Sequence, residues 1–134
     1  MKNLFVKGDT KQFLREVTND DIASFDDQAV HHVLSTFALG RDAEWVCRLF
    51  VIDMKEVDEE GIGTFLEIEH RSPAFVGDKI MYTGKFEEHN GNNVICTFCA
   101  EVGQRVIAKG RTGQKILKKE KINQLFTSIS GKGK

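Results

Sequence analysis

Residues Ser35 to Ile52, STFALGRDAEWVCRLFVI, are the only long segment with a helical period, and their reading decides the fold. At about 100° per residue, with Thr36 at zero, Leu39, Ala43, Val46, Leu49 and Phe50 fall between about 220° and 340°. Glu44 falls near 80°, Arg48 near ~120° and Arg41 near ~140°, so a polar face carries a hydroxyl and a carboxylate together. Asp42 breaks the pattern, at about 240° among the apolar residues.

Downstream of this helix the period changes to two. Ile62–Arg71, Asp78–Glu88, Asn93–Gly103 and Arg105–Lys118 read as strands. His89-Asn90-Gly91-Asn92 supplies an Asn-Gly hairpin turn, and Val102-Gly103-Gln104 a second short turn, so the last three strands form an antiparallel meander. Ser72 to Gly77 holds the only proline, Pro73, and reads as a loop. Upstream, Gln12 to Val17 is a candidate first strand. Thr18-Asn19-Asp20-Asp21 offers capping groups, with a short turn or helix over Asp20–Phe25. Phe25 to Val33 has no clear period. Residues 1–11 read as loosely held, and Lys119 to Lys134, which ends in SISGKGK, as frayed. The pattern is a single α+β domain over 1–134, with 1–11 and 123–134 peripheral.

The chain has 134 residues, 40% hydrophobic and 29% charged, which is enough for a core without metal or disulfide staples. A net charge of -1 gives no electrostatic reason to bind nucleic acid. The acidic run Asp53 to Glu60 and the basic run Lys115 to Lys121 read as solvated ends. No secretory signal precedes the first strand, and no window nears the roughly 18 apolar residues of a membrane span. Three cysteines, Cys47, Cys96 and Cys99, point to reduced thiols and a cytoplasmic setting. Cys96 and Cys99 spell C-x-x-C, but three residues apart on a strand they face opposite sides and cannot share a metal. His31 and His32 are adjacent and do not converge, so they read as structural. No metal and no cofactor is expected.

His32-Val33-Leu34-Ser35-Thr36 entering the helix, then Ala43-Glu44-Trp45-Val46-Cys47, resembles the fluoroacetyl-CoA thioesterase branch of the hotdog-fold acyl-CoA thioesterases. So does Gly63-Thr64, followed seven residues after Gly63 by His70, then Pro73 and Val76-Gly77-Asp78. The resemblance covers roughly residues 10–122. It implies a hotdog fold, in which an antiparallel sheet wraps one long central helix. It implies catalysis by Thr36, Glu44 and His70, with Gly63 and Thr64 binding the substrate and Gly63 lying by its carbonyl. It also implies a homodimer or larger homo-oligomer with sites at the subunit interface, and an acyl-CoA substrate with CoA as part of it. The charged pair Arg41-Asp42 departs from the family's mostly apolar helix centre, and the loop Arg71–Val76 is less proline-rich. Both line regions that shape the acyl pocket, so a preference for a small fluorinated acyl group does not carry over.

Thioester hydrolysis needs a nucleophile or base, a proton donor for the leaving thiolate and donors for the oxyanion. Glu44 can attack or activate water, and a half-buried helix face would make it a better base. His70 can shuttle protons. Thr36 can orient water, relay a proton or attack. Gly63 lets a backbone N–H approach a carbonyl. Each residue also has a plain structural role open to it. Thr36 can cap the helix, Glu44 can pair with Arg41 and Arg48, and Gly63 can mark a bulge. Asp42 is a rival acid to Glu44. An acyl-CoA or acyl-carrier binding module without turnover is the alternative function. A hydratase on the same fold is disfavoured, because no Asp accompanies His70 after Gly63.

Overall fold

The computed structural model describes residues 1–25 and 28–131, with the backbone alone at 24, 25 and 28–31. A first strand, β1 (Thr10–Glu16), leads through a 3-10 turn at Asn19–Asp21 into a hairpin, β2 (Ile22–Phe25) and β3 (Gln28–Leu34). The long helix α1 (Thr36–Met54) follows, then β4 (Glu59–His70), β5 (Lys79–Asn90), β6 (Asn93–Val102), β7 (Arg105–Lys118) and a second helix, α2 (Lys119–Ser130). Five strands form one antiparallel sheet in the order β1-β5-β6-β7-β4, so β1 and β4 are its edges.

Helix α1 lies on one face of this sheet because its apolar stripe meets the inward residues of alternating strands. Leu39, Val46, Phe50 and Met54 are buried against Ile80, Tyr82, Phe86, Val94 and Ile116. Each such side chain contributes about 1.5–3 kcal/mol relative to exposure. The β6 burial pattern alternates strictly, with Val94, Cys96, Phe98 and Ala100 inward. The approach is close enough to require small residues: a Cβ at Gly61 would meet Val51 Cγ1 at 2.6 Å, and one at Gly84 would meet the Val46 carbonyl at 3.2 Å. Gly91 has a φ of 62°, as the expected Asn-Gly turn between β5 and β6 requires.

Asp42, the break in the helix pattern, is fully buried and serves as a tie. Its Oδ1 accepts from Arg15 Nη2 on β1 at 3.0 Å, and the Arg41 guanidinium grips both of its oxygens at 3.0 and 3.1 Å. Arg41 Nη2 also reaches Asp21 Oδ1 at 3.3 Å. One network therefore joins β1, the 3-10 turn and α1. Tyr82 lies beside it, stacked on Phe13 with ring centroids 5.0 Å apart. Burial, and then the Asp42 charge, push its phenol well up.

Three regions differ from the sequence reading. The N-terminal residues are held, not loose: Phe5 packs edge-on to Phe50 at 4.9 Å, and Lys2 N donates to the Met54 carbonyl at 2.6 Å. Of the stretch without clear period, Phe25 to Val33, the described residues belong to β2 and β3, whose two register shifts explain the irregular pattern, and 26 and 27 lie outside the described residues. Of the segment expected to fray, Lys119–Ser130 is helical, with Ile122 buried and Gly131 closing the helix in the left-handed region, and 132–134 lie outside the described residues. Among the described residues no helix is long and apolar enough to cross a membrane.

The Asp21 carboxylate predicts the acid response. Burial alone would raise its pKa, but the Thr18 amide and hydroxyl, at 2.9 and 3.1 Å, and Arg41 hold it below the usual carboxylate range. A depressed folded-state pKa gives stability that is full above the unfolded value near ~4 and lost as pH falls through the folded value. Thermal unfolding followed from about pH 6 to about pH 2 should show Tm falling below about pH 4. The fall should be shallower in Asp21→Asn.

Candidate active site

The site is built where the polar face of α1 meets the edge strand β4. Ser35 caps the helix, its Oγ accepting from Ala38 N at 3.0 Å. Thr36, the next residue, is therefore not the cap. Its Oγ1 lies 2.9 Å from His70 Nε2 at the far end of β4. Both side chains are exposed.

The meeting of Thr36 with His70 depends on a bulge. Residues seven apart on a regular strand face opposite sides, so Gly63 and His70 would not share a face. The β4–β7 register shifts between Gly63, opposite Gln114, and Phe65, opposite Gly113. The extra residue is Thr64, and it reverses the phase of β4. Leu66 and Ile68 then turn to α1: a Cβ at Gly40 would meet their side chains at 3.1 and 3.5 Å. His70 follows in the same phase. On β7, Gly113 leaves room for Thr64 and the Phe65 ring, both of which a Cβ there would strike. The bulge expected as a plain role for Gly63 and the placement of His70 are thus one feature.

Glu44 is exposed and sits at the junction of three openings. The largest, about 500 Å³, is mostly apolar and is lined by Thr36, Phe37, Gly40, Arg41, Leu66 and Ile68 as well as Glu44. A second, of about 320 Å³, runs toward Arg15 and Trp45. A third is a small polar hollow of about 50 Å³ toward β7. Gly63 faces the carboxylate, with the position of a Cβ 4.0 Å from Glu44 Oε1.

The salt-bridge ladder considered for Glu44 is not formed. Arg41 binds Asp21 and Asp42, while Arg48 binds Glu60 at 2.8 Å and the Gly61 carbonyl at 3.2 Å. Glu44 has no hydrogen-bond or ion-pair partner among the described residues. The burial expected for it is not supplied by this chain alone. Asp42, the rival acid, is engaged by two arginines away from Thr36 and His70.

The structure brings Thr36 and His70 into contact and sets Glu44 in the same groove as Thr36 and beside Gly63. Thr64 lines none of the three openings. The sequence reading missed Thr112 and Gln114, buried polar residues on the inward face of β7. Their signal was available: with Ile116 they occupy alternate positions of one strand face, where apolar residues are the norm. Cys96 and Cys99 face opposite sides as expected, Cys96 buried and Cys99 partly exposed. Contact with Cys47 and burial raise the Cys96 thiol. No metal-binding group of His, Cys, Asp and Glu occurs among the described residues. His32 is exposed, and the His31 side chain lies outside the described residues.

A five-stranded antiparallel sheet with one long helix on its face is the hotdog architecture of the thioesterase superfamily. The chain matches the family described as fluoroacetyl-CoA-specific thioesterase over residues 17–120, and it belongs to that family. A Thermus thermophilus hypothetical protein, described as a thioesterase superfamily member, is 28% identical with a TM-score of 0.91 over 96% of each chain. A hot-dog-like protein of Thermanaerovibrio acidaminovorans is 18% identical with a TM-score of 0.88, over 97% of this chain and 96% of that one. A mutant of the fluoroacetyl-CoA-specific thioesterase FlK, in complex with fluoroacetate and CoA, has the same fold. It is 18% identical with a TM-score of 0.81, over 88% of this chain and 99% of that one. No curated protein sequence matches the chain.

The division of labour between Ser35 and Thr36 is testable by thermal unfolding. Ser35→Ala removes the cap and should cost about 1 kcal/mol. Thr36→Val removes only the contact with His70 and should stay within about 0.5 kcal/mol of wild type.

Proposed function

We propose that this chain hydrolyses an acyl-CoA thioester to the free acid and CoA, with Thr36, Glu44 and His70 as the catalytic groups. The observation that carries the reading is the 2.9 Å Thr36–His70 contact on the rim of the groove that Glu44 also lines. The acyl group lies along Phe37, Leu66 and Ile68, in the apolar opening. Glu44, unpaired and facing Gly63, takes a proton from the attacking water or attacks the thioester carbonyl itself. The backbone amide at Gly63 donates to the carbonyl oxygen, because a glycine without a side chain lets the carbonyl approach. His70, oriented by the Thr36 hydroxyl, passes a proton to the leaving thiolate. The scheme calls on no metal or cofactor.

The working form in this reading is a homodimer. Strand β4 is a 12-residue edge strand, and an unpaired edge of that length favours pairing with a second copy. Phe37 is 83% exposed and Trp45 43% exposed, both beside the Glu44 openings. A partner subunit would cover them and give Glu44 the burial that one chain lacks. The adjacent, unbridged thiols of Cys47 and Cys96 suit a reducing compartment such as the cytoplasm.

Thiol release measured over short, medium and aryl acyl-CoAs should show activity in the wild type. Glu44→Gln and His70→Ala should each lose at least ~10²-fold in kcat/KM. Full rate in either variant overturns the assignment. Thermal stabilisation by CoA thioesters without thiol release would instead favour a binding module. Light scattering at micromolar concentration should report a dimer, and a monomer would remove the proposed interface site.

A further inference from the structure

The small hollow beneath Glu44 is lined by Arg48, Gly63, Thr112, Gly113 and Gln114. Gln114 is 6% exposed, and its Oε1 is buried with no hydrogen-bond partner among the described residues. An unmet buried amide oxygen is costly to the folded state. The neighbouring polar groups do not relieve it. Arg48 Nη1 approaches the same point over Gly61 but donates to the Gly61 carbonyl, and its Nη2 to Glu60. The Thr112 hydroxyl is turned to the Cys47 thiol. Yet Gln114 occupies an inward position of β7, two residues before the buried Ile116 and directly opposite Gly63. An apolar residue there would be the stable choice.

A buried polar atom of this kind is ordinarily met by water, which needs two to four polar partners and at least about 10–15 Å³. The hollow offers about 50 Å³, and Gln114 and Glu44 are both among its lining residues. We infer that this hollow holds the hydrolytic water of the proposed thioesterase reaction and that Gln114 is its positioning residue. The inference rests on the thioesterase reading and assigns Glu44 within it the role of general base rather than nucleophile. The water oxygen forms a bond to the thioester carbonyl carbon, and its proton passes to Glu44. The carbon–sulfur bond breaks, and the sulfur leaves as thiolate to be protonated to CoA. Gln114 touches the water and exchanges no proton with it.

Gln114→Met keeps the side-chain length and removes both polar atoms. In a wild type that releases thiol, the variant should lose 10- to 100-fold in kcat with KM unchanged, and its Tm should hold or rise. A purely structural glutamine would give the reverse, a lower Tm with kcat retained, and that result overturns the inference while leaving the thioesterase reading intact. A wild type that releases no thiol from any acyl-CoA fails the thioesterase reading and this role together. A crystal structure of the wild type gives a second arm. It should show an ordered water bonded to both Gln114 and Glu44, and a dry hollow or a Gln114 amide paired with Arg48 overturns the assignment.

Discussion

The packing of α1 against the sheet is the interaction on which everything else depends. The helix comes so near β4 and β5 that a Cβ at Gly61 would strike the Val51 side chain and one at Gly84 would crowd the Val46 carbonyl. At that distance Leu39, Ala43, Val46 and Phe50 of the apolar stripe are buried, with Leu49 partly so, and the close-packed contact resists a shift of the helix along the sheet. The opposite consequence concerns the polar stripe. Thr36 and Glu44 are carried to the side of the sheet where β4 ends it, next to an unpaired strand edge. The place of the site in the fold follows from burying the other half of the helix.

Packing alone does not complete the site, because β4 must present two different phases to one helix. Its first part turns Gly61 and Gly63 to α1, and its last part turns Leu66, Ile68 and His70. A regular strand cannot do both, since the side-chain period is two. The single extra residue, Thr64, reconciles them. Gly113 across the ladder is the matching adjustment, because the bulge presses Thr64 and Phe65 onto it. The bulge therefore sets where His70 meets Thr36.

What was legible in the sequence follows the strength of the local pattern. The helix emerged with its cap one residue earlier than Thr36, and the bounds read for the last strand, Arg105–Lys118, are those observed. These elements pair a long period with clear flanking turn or cap residues. The β2–β3 hairpin was not legible, because two register shifts within four residues of β2 erase its alternation. Helix α2 did carry a signal, with Ile122, Leu125, Phe126 and Ile129 at helical spacing. A lysine-rich start and a glycine-lysine tail masked it, and only Ile122 is buried. Asp42 looked like a defect of the apolar stripe because its partner, Arg15, lies on a strand distant in sequence. Helical angles set Thr36 and Glu44 on one face, but they could not reveal that a bulge would bring His70 to Thr36.

The electrostatics around Glu44 depend on the same long-range arrangement. Two arginines flank it at helical spacing, and by local rules either would bind it. Instead Asp42, buried within the stripe, holds Arg41 together with Asp21, and Glu60 holds Arg48. A carboxylate in an ion pair is occupied, whereas one whose cationic neighbours are engaged elsewhere can accept a proton from a bound group. The charged pair at the centre of α1 thus has a physical reason. Asp42 draws Arg41 away from Glu44 and ties it to Asp21 at the 3-10 turn, so that Arg41 lines the apolar groove without pairing with the acid within it.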